Sequence, residues 1–438
     1  MTVARPTSGT TSEPTTGPDG EPTSGPPGPP TARPLSRNRN YNILWTGQLL
    51  SELAFEIAMV AIPLLILAHT GSAIQMGTAS SVLAAVRMLA AIPAGAIADR
   101  WNRRTVMLTC QALRAVGMGS LAAALALDRY SYWHLLAVVV LEGALGSVFE
   151  PAEHAALPQV VPESQLSTAV ARNAARPYVA TLLGPSVAGF LFAVHPTDPF
   201  AVTAAVLALS AGALTLLRLP PVAGPGTGKP DGGMGGEMAA GFRWVLRNRV
   251  LRTTLVWMVG TNLVFNALLV IILAVSNEDR TAPGEIGLMM ACLGVGGLLG
   301  AALAPWLHRR LPAPVIVLGF AWLAAVATAL MAVVSGGVPL GVLLGLAALF
   351  APVANTTVMT HQLMVTPDGL RGRVSSIAAL CSGGAGALGP LAGGVLVARS
   401  GGGTAAVLAC AGALALIAVG TTASPVLRRF PAADRTRG

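Results

Sequence analysis

Twelve runs of predominantly apolar residues follow one another through this chain and leave little of it outside them. They lie at roughly 43–68, 74–98, 105–127, 132–155, 168–194 and 200–218, then at 252–275, 285–307, 313–335, 338–362, 374–398 and 402–422. About 20 apolar residues is the length at which an α-helix crosses the hydrocarbon layer of a bilayer. Inside that layer the backbone must satisfy its own hydrogen bonds, so each run is expected to be a helix. The reading is therefore an all-α integral membrane protein. Only 11% of the residues are charged, against roughly 25% in a soluble domain. The 50 glycines and 5% aromatic residues suit helices packed closely through small side chains. Four cysteines, Cys110, Cys292, Cys381 and Cys410, all lie inside apolar runs, which excludes a disulfide framework or a CxxC metal site.

Short polar segments such as HTGS at 69–72, HPTDP at 195–199 and SNEDRTAPG at 276–284 punctuate the spans. Residues 1–36 are Pro, Thr, Ser and Gly without an apolar core, and read as a disordered cytoplasmic tail. A second shift in composition at 220–240 reads as a cytoplasmic linker between two bundles, 37–219 and 241–425, with a short tail at 426–438. Its GPGTGKP is not a phosphate loop, because Ala223 stands at the first Gly position and Pro230 where Ser or Thr is required. An even number of spans puts both chain ends on one side. Most of the Lys and Arg fall on that side, while Arg129, Arg280 and Arg399 fall opposite. The excess of basic residues on that side places both termini in the cytoplasm. The net charge of +9 is then an orientation signal in a lipid bilayer, and nucleic acid is not an expected partner.

The two halves repeat one another. A shift of 205 residues aligns GAIADRWNRR at 95–104 with GAALAPWLHRR at 300–310, Pro162 with Pro367, and LLGPSVAG at 182–189 with ALGPLAGG at 387–394. Near the first helices of each half the shift becomes 210, and RNR at 37–39 meets RNR at 247–249. The expected fold is twelve transmembrane helices in two pseudo-symmetric six-helix bundles of parallel orientation, an architecture that binds substrate at the midplane between halves.

The loop after the second span, Gly95-Ala-Ile-Ala-Asp99-Arg100-Trp-Asn-Arg103-Arg104, resembles the signature G-x-L-x-D-R-x-x-R-R of major facilitator superfamily transporters. Gly184-Pro185 with Gly189 is similar to the antiporter motif of that superfamily's drug exporters, with Ala188 where a second Gly is usual. RNRNYNILWTGQLLSEL at 37–53, Arg114, FEPAEHAALPQVVP at 149–162, GFRWVLRNRVLR at 241–252 and VTPDGLRGRVSS at 365–376 resemble the macrolide-efflux and siderophore-exporter branch of drug:proton antiporters. The resemblance covers residues 37 to about 425. Many proton-coupled exporters carry an Arg in the fourth helix four residues before a Gly. Here that position, relative to Gly143, is Val139, so no proton role carries over from it.

A charge near the bilayer centre costs about 3 kcal/mol or more, so those inside the spans need a reason. Glu52 and Glu56 lie roughly 14–20 Å into the first helix at 1.5 Å per residue, and with Gln48 they share one face. Arg87, Arg114 and Glu142 come out at similar depth. Two guanidiniums can neutralise two of the three carboxylates, and the third is expected to carry a proton part of the time; the alternative is a static ion-pair network. At the 210 shift Glu52 and Glu56 correspond to Asn262 and Asn266, and at 205 Glu150 corresponds to Asn355. In the resembled architecture helices 1, 4, 7 and 10 line the cavity. The resemblance thus implies proton work in the first half and neutral hydrogen bonding to substrate in the second.

By the family pattern Gly95, Asp99, Arg100, Arg103 and Arg104 read as a conformational latch, beside the simpler role of topology-setting charge. Glu150 and Glu153 at the end of the fourth helix face Arg172 and Arg176 at the start of the fifth, as a cytoplasmic gate or an interfacial salt bridge. Gly184-Pro185 and Gly389-Pro390 are expected to bend helices 5 and 11. The run Gly384-Ala-Gly386-Ala-Leu-Gly389 fits G-x-G-x-x-G but has no preceding strand, and reads as helix packing. His154 and His361 have no metal-ligand spacing around them. No cofactor, metal or catalytic residue is expected. The expected function is export of a small amphipathic compound (drug, antibiotic or siderophore-like metabolite) in exchange for protons, by a monomer in a bacterial cytoplasmic membrane. A nutrient importer of the same fold and a transport-inactive receptor are the alternatives.

Overall fold

A computed structural model describes residues 35–174, 176–219, 243–334 and 337–428. The tail to residue 34, the linker at 220–242 and the end from 429 lie outside the described residues. Leu35–Arg37 form a turn of 3₁₀ helix with Leu35 buried, so the last part of the expected tail belongs to the folded body.

Twelve helices long and apolar enough to span follow: α1 Arg39–Thr70, α2 Ala73–Arg100, α3 Arg103–Ala126, α4 Tyr132–Val160, α5 Glu163–Val194, α6 Asp198–Thr215, α7 Arg249–Glu278, α8 Pro283–Arg310, α9 Ala313–Met331, α10 Gly337–Val365, α11 Asp368–Ser400 and α12 Gly403–Ala423. A short α13, Pro425–Arg428, ends the described chain. The ends are set locally. Asn38, Ser72, Asn102 and Asn248 accept backbone N–H bonds as N-caps of α1, α2, α3 and α7. Gly71 (φ 61°) and Gly401 (φ 72°) end α1 and α11 in the left-handed region that glycine tolerates. α4 runs on past Pro151 and Pro158, beyond the expected end at 155, and α5 starts at Glu163, ahead of the expected 168. Both extensions matter for the charges described below.

Within the first half α1 packs on α5 and α6, α3 on α4 and α6, and α2 on α4; in the second, α7 packs on α11 and α12, α9 on α10 and α12, and α8 on α10. The halves meet through α2 against α11 and α5 against α8. These contacts obey the sequence repeat. Gly77 lies against the Pro390 carbonyl and Gly287 against that of Pro185; Gly394 lies against the Ala73 carbonyl and Gly189 against that of Pro283. The first contact maps onto the second, and the third onto the fourth, by the 205 and 210 shifts, and only glycine permits backbones to approach so closely. All four contacts sit toward the face remote from the chain ends, here the far face; the other is the terminal face.

The same face is sealed by α1 and α7. Residues 60–67 of α1 are buried without interruption, as are 270–274 of α7. A helix buried all round lies in the centre of a bundle, where the far portions of α1 and α7 plug the space between the halves.

Candidate functional site

A cavity of about 220 Å³ opens beside α1, α2, α4 and α5, lined by Gln48, Glu52, Phe55, Glu56, Arg87 and Glu150 among others. Beyond Glu56 the plugged part of α1 closes it toward the far face. Glu150, nearer the terminal face, keeps 55% of its side chain exposed.

Three guanidiniums organise the acids around this cavity. Arg114 and Glu142 are each 2% exposed and form an ion pair in which Nε reaches both carboxylate oxygens at 3.0 Å. Nη1 of Arg114 donates to Ser51 Oγ at 2.7 Å and to Gln111 Oε1 at 2.9 Å. Gln111 in turn donates to Ser210, and Ser210 to the Gly47 carbonyl. The pair thereby ties α1, α3, α4 and α6 together with its donors satisfied, which a buried ion pair requires.

Arg176 is the second centre. Its Nε lies 3.2 Å from Glu52 Oε1 and its Nη1 3.4 Å from Glu153 Oε1. Arg176 is 2% exposed and Glu153 0%, and the second carboxylate oxygen of each acid accepts no hydrogen bond from the described residues. Gln48 Nε2 donates to Glu52 at 3.3 Å. Arg87 is the third centre. It lies over the Phe55 ring at 4.3 Å and reaches Glu150 at 3.8 Å. Glu56 meets no guanidinium within 4.0 Å among the described residues; it accepts a 2.8 Å hydrogen bond from the Thr181 hydroxyl of α5.

The structure thus redistributes the expected pairings. Glu52 takes its counter-charge from α5, and neither it nor Glu56 is bridged by Arg87 or Arg114. The four residues read as a gate separate: Glu153 and Arg176 are a buried pair, Glu150 turns to Arg87, and Arg172 lies 5.7 Å over the Trp45 ring. The physical reason is the length of α4 and α5, which moves Glu153 and Arg176 from helix ends into the packed body. Thr181, Ser51 and Gln111 were missed from sequence, although a polar residue three positions before Arg114 on one helix face is a signal for Gln111.

In the second half Asn262 donates to the Met258 carbonyl and Asn266 to that of Asn262, both at 2.8 Å within α7. Asn355 is exposed on α10. Of the signature loop, Arg103 donates to the Ala155 carbonyl in α4 at 2.6 Å and Arg104 Nε to the Leu214 carbonyl of α6 at 3.3 Å. Arg100 is exposed, Gly95 meets nothing within 4 Å where a Cβ would stand, and the Asp99 side chain lies outside the described residues. α5 and α11 stay helical through Gly184-Pro185 and Gly389-Pro390, and the glycines there allow close approach, of Gly184 to Glu56 and of Gly389 to Asn266.

The Major Facilitator Superfamily profile matches residues 44–360. The chain belongs to this superfamily. Among its relatives, the multidrug efflux pump Tap of Mycolicibacterium fortuitum is 28% identical over 371 residues, covering 79% of this chain and 86% of Tap. The multidrug resistance protein MdtG of Escherichia coli O1:K1 / APEC is 31% identical over 182 residues, covering 40% of this chain and 43% of MdtG. The crystal structure of nucleoside transporter NupG shares the fold, with a TM-score of 0.71 at 14% identity over 87% of this chain and 98% of NupG. The chain is a multi-pass membrane transporter of the Major Facilitator Superfamily whose similar sequences include multidrug efflux pumps.

Proposed function

We propose that this transporter exports small amphipathic organic compounds, of the drug, antibiotic or siderophore-like class, in exchange for protons by alternating access across a bacterial cytoplasmic membrane. Both chain ends face the cytoplasm, where the Lys and Arg concentrate. A monomeric working unit is part of the proposal, and the cavity lined by residues of one chain is consistent with it.

The observation that carries the reading is Glu56. It stands on the cavity wall at the plug, held by a hydroxyl and no guanidinium among the described residues. Its repeat counterpart Asn266 is neutral. A carboxylate that no guanidinium contacts is costly in a low-dielectric layer, and protonation removes that cost. Closing the cavity on either side therefore favours the protonated form, while opening it to water favours release, which couples proton movement to the rocking of the halves. The names of the similar efflux pumps support the substrate class and the direction.

Purified protein in liposomes with an imposed pH gradient tests this. Accumulation of a compound from a panel of cationic and neutral amphipaths is expected on the acidic side, with measurable alkalinisation there. Transport unaffected by collapsing the gradient, or running with the proton rather than against it, overturns the antiport reading and favours uptake or facilitated passage.

A further inference from the structure

A second cavity, of about 370 Å³, opens at the terminal face where the starts of α1 and α3 meet the end of α6. α3 and α6 pack on each other and on α1 and α4 within the first half, so this cavity is separate from the one that carries Glu56. Arg39, Asn102, Arg104 and Arg218 supply its polar wall, and no carboxylate is among its lining residues. Three arginines on one pocket wall, with no carboxylate among the described lining residues, form a site for an anion.

One of these cations is held there by the backbone. Arg104 caps the end of α6, its Nε donating to Leu214 and its Nη2 to the Thr215 carbonyl. That contact offsets the negative end of the α6 dipole, which otherwise repels an anion. Asn40 Nδ2 donates to the Arg218 carbonyl at 3.0 Å and fixes the loop that carries Arg218. Arg39 is the first residue of α1, a position where the helix dipole disfavours a cation, so α1 itself gains nothing from it. Leu113 and Val116 of α3, Leu209 of α6 and Leu216 just after it present exposed apolar side chains.

The internal repeat provides a comparison. In the second half Arg249 stands at the 210 shift from Arg39, and Arg428 follows α12 as Arg218 follows α6. Yet Arg104 falls on the exposed Arg309 at the 205 shift, and the neighbouring Arg310 lies 5.6 Å over the Trp306 ring. The cavity by the start of α9, about 300 Å³, is lined by Val315, Leu318 and Trp322 with Arg428 as its one charged residue. Charge that merely sets topology is present in both halves; convergence on a polar pocket occurs in the first.

We propose that the α1–α3–α6 pocket binds the phosphate-bearing headgroup of an anionic phospholipid from the leaflet on the terminal side, with its acyl chains along the exposed α3 and α6 side chains. The bilayer supplies such a lipid at this depth, and a basic pocket between spanning helices is suited to it.

Native mass spectrometry of the full chain released from nanodiscs tests this. Wild type is expected to retain a phosphatidylglycerol in preference to phosphatidylcholine, and excess inorganic phosphate is expected to leave it bound. The Arg39→Gln/Arg218→Gln pair is expected to lower retention about tenfold, whereas Arg249→Gln/Arg428→Gln leaves it unchanged. Equal retention of the two lipids by wild type overturns the proposal whatever the variants do. Displacement by inorganic phosphate overturns it in favour of a free-anion site. A second readout needs no variant: phosphatidylglycerol added to the delipidated wild type raises its melting temperature in detergent and phosphatidylcholine does not, and an equal rise with both overturns it.

Discussion

Gly184 of α5 lies so close to the Cβ and backbone of Glu56 in α1 that a side chain does not fit between them. The repeat-related Gly389 meets Asn266 in the same way, at 2.7 Å from where its own Cβ would stand. The helix that brings Thr181 to Glu56 is therefore seated directly on the turn that carries the carboxylate. In Gly184→Ala the new methyl must push α1 and α5 apart, a kind of overpacking that costs about 1–3 kcal/mol. A lower melting temperature in detergent and slower transport are expected. Gly386→Ala, whose methyl meets nothing within 4 Å, is expected to change neither.

The Arg114–Glu142 pair is expected to behave as a structural tie. Arg114→Met strands Glu142 in a buried site and costs about 3–5 kcal/mol, with Ser51 and Gln111 also losing a partner. Replacing both members, Arg114→Met with Glu142→Leu, removes the uncompensated charge and recovers part of the loss. Melting temperatures of the single and double variants check this: a double variant less stable than Arg114→Met contradicts it.

Arg176 serves two acids, so the three positions are not equivalent. Glu52→Gln leaves Arg176 paired with Glu153 and is expected to express and fold near wild-type levels. Arg176→Gln leaves two carboxylates without a cation among the described residues and is expected to aggregate or to melt well below wild type. Monodispersity on size exclusion compares them, and equal behaviour of the two variants argues against a shared guanidinium.

The twelve spans and the repeat were legible because both are written in local chemistry: apolar length, and identical motifs at a fixed shift. Which Arg meets which Glu was not, because it depends on helix lengths that polar and proline residues obscure. The fourth span reads as ending at 155, before Pro158, and the fifth as starting at 168, after the polar stretch around Gln165 and Ser167. Both stretches are helical, which carries Glu153 and Arg176 into the packed body. Glu52 and Glu56 were found as in-membrane charges on one face, but their different surroundings, Arg176 for one and Thr181 for the other, follow from the seating of α5 on α1. The Gly184-Pro185 and Gly389-Pro390 motifs read as bends, and their role as contact points emerges only once the facing helix is in place.

Glu56 is expected to separate from Glu52 in function. Glu56→Gln keeps an oxygen for the Thr181 hydroxyl, so its fold is retained, and it removes the group proposed to carry the proton. Substrate movement driven by a pH gradient is expected to fall to background, while exchange of substrate for substrate at equal pH continues. Measuring both modes in the same liposomes decides the matter, since a variant that still concentrates substrate against a gradient takes the proton elsewhere.

The symmetric glycine contacts give the last test, which concerns the plug. The far face is held shut where Gly77 meets the carbonyl of Pro390 and Gly287 meets that of Pro185. In each case a backbone carbonyl faces the glycine, and backbone cannot rotate away as a flexible side chain can. A leucine at either position has to separate α2 from α11, or α5 from α8, on that face. Conformations open to the terminal face are penalised and those open to the far face, in which the helices part, are not, so the population shifts toward the latter. With the four native cysteines replaced by alanine, a Phe55→Cys reporter on the cavity wall reads the shift. An impermeant maleimide applied from the far side is expected to label Phe55→Cys faster in the Gly77→Leu and Gly287→Leu backgrounds than in the parent, and more slowly from the terminal side. Gly412→Leu, where a Cβ meets nothing within 4 Å, is expected to match the parent. Reactivity unchanged from both sides in all backgrounds means that the four glycine contacts are mere close packing, and that the barrier between the cavity and the far face lies in the buried stretches of α1 and α7 alone.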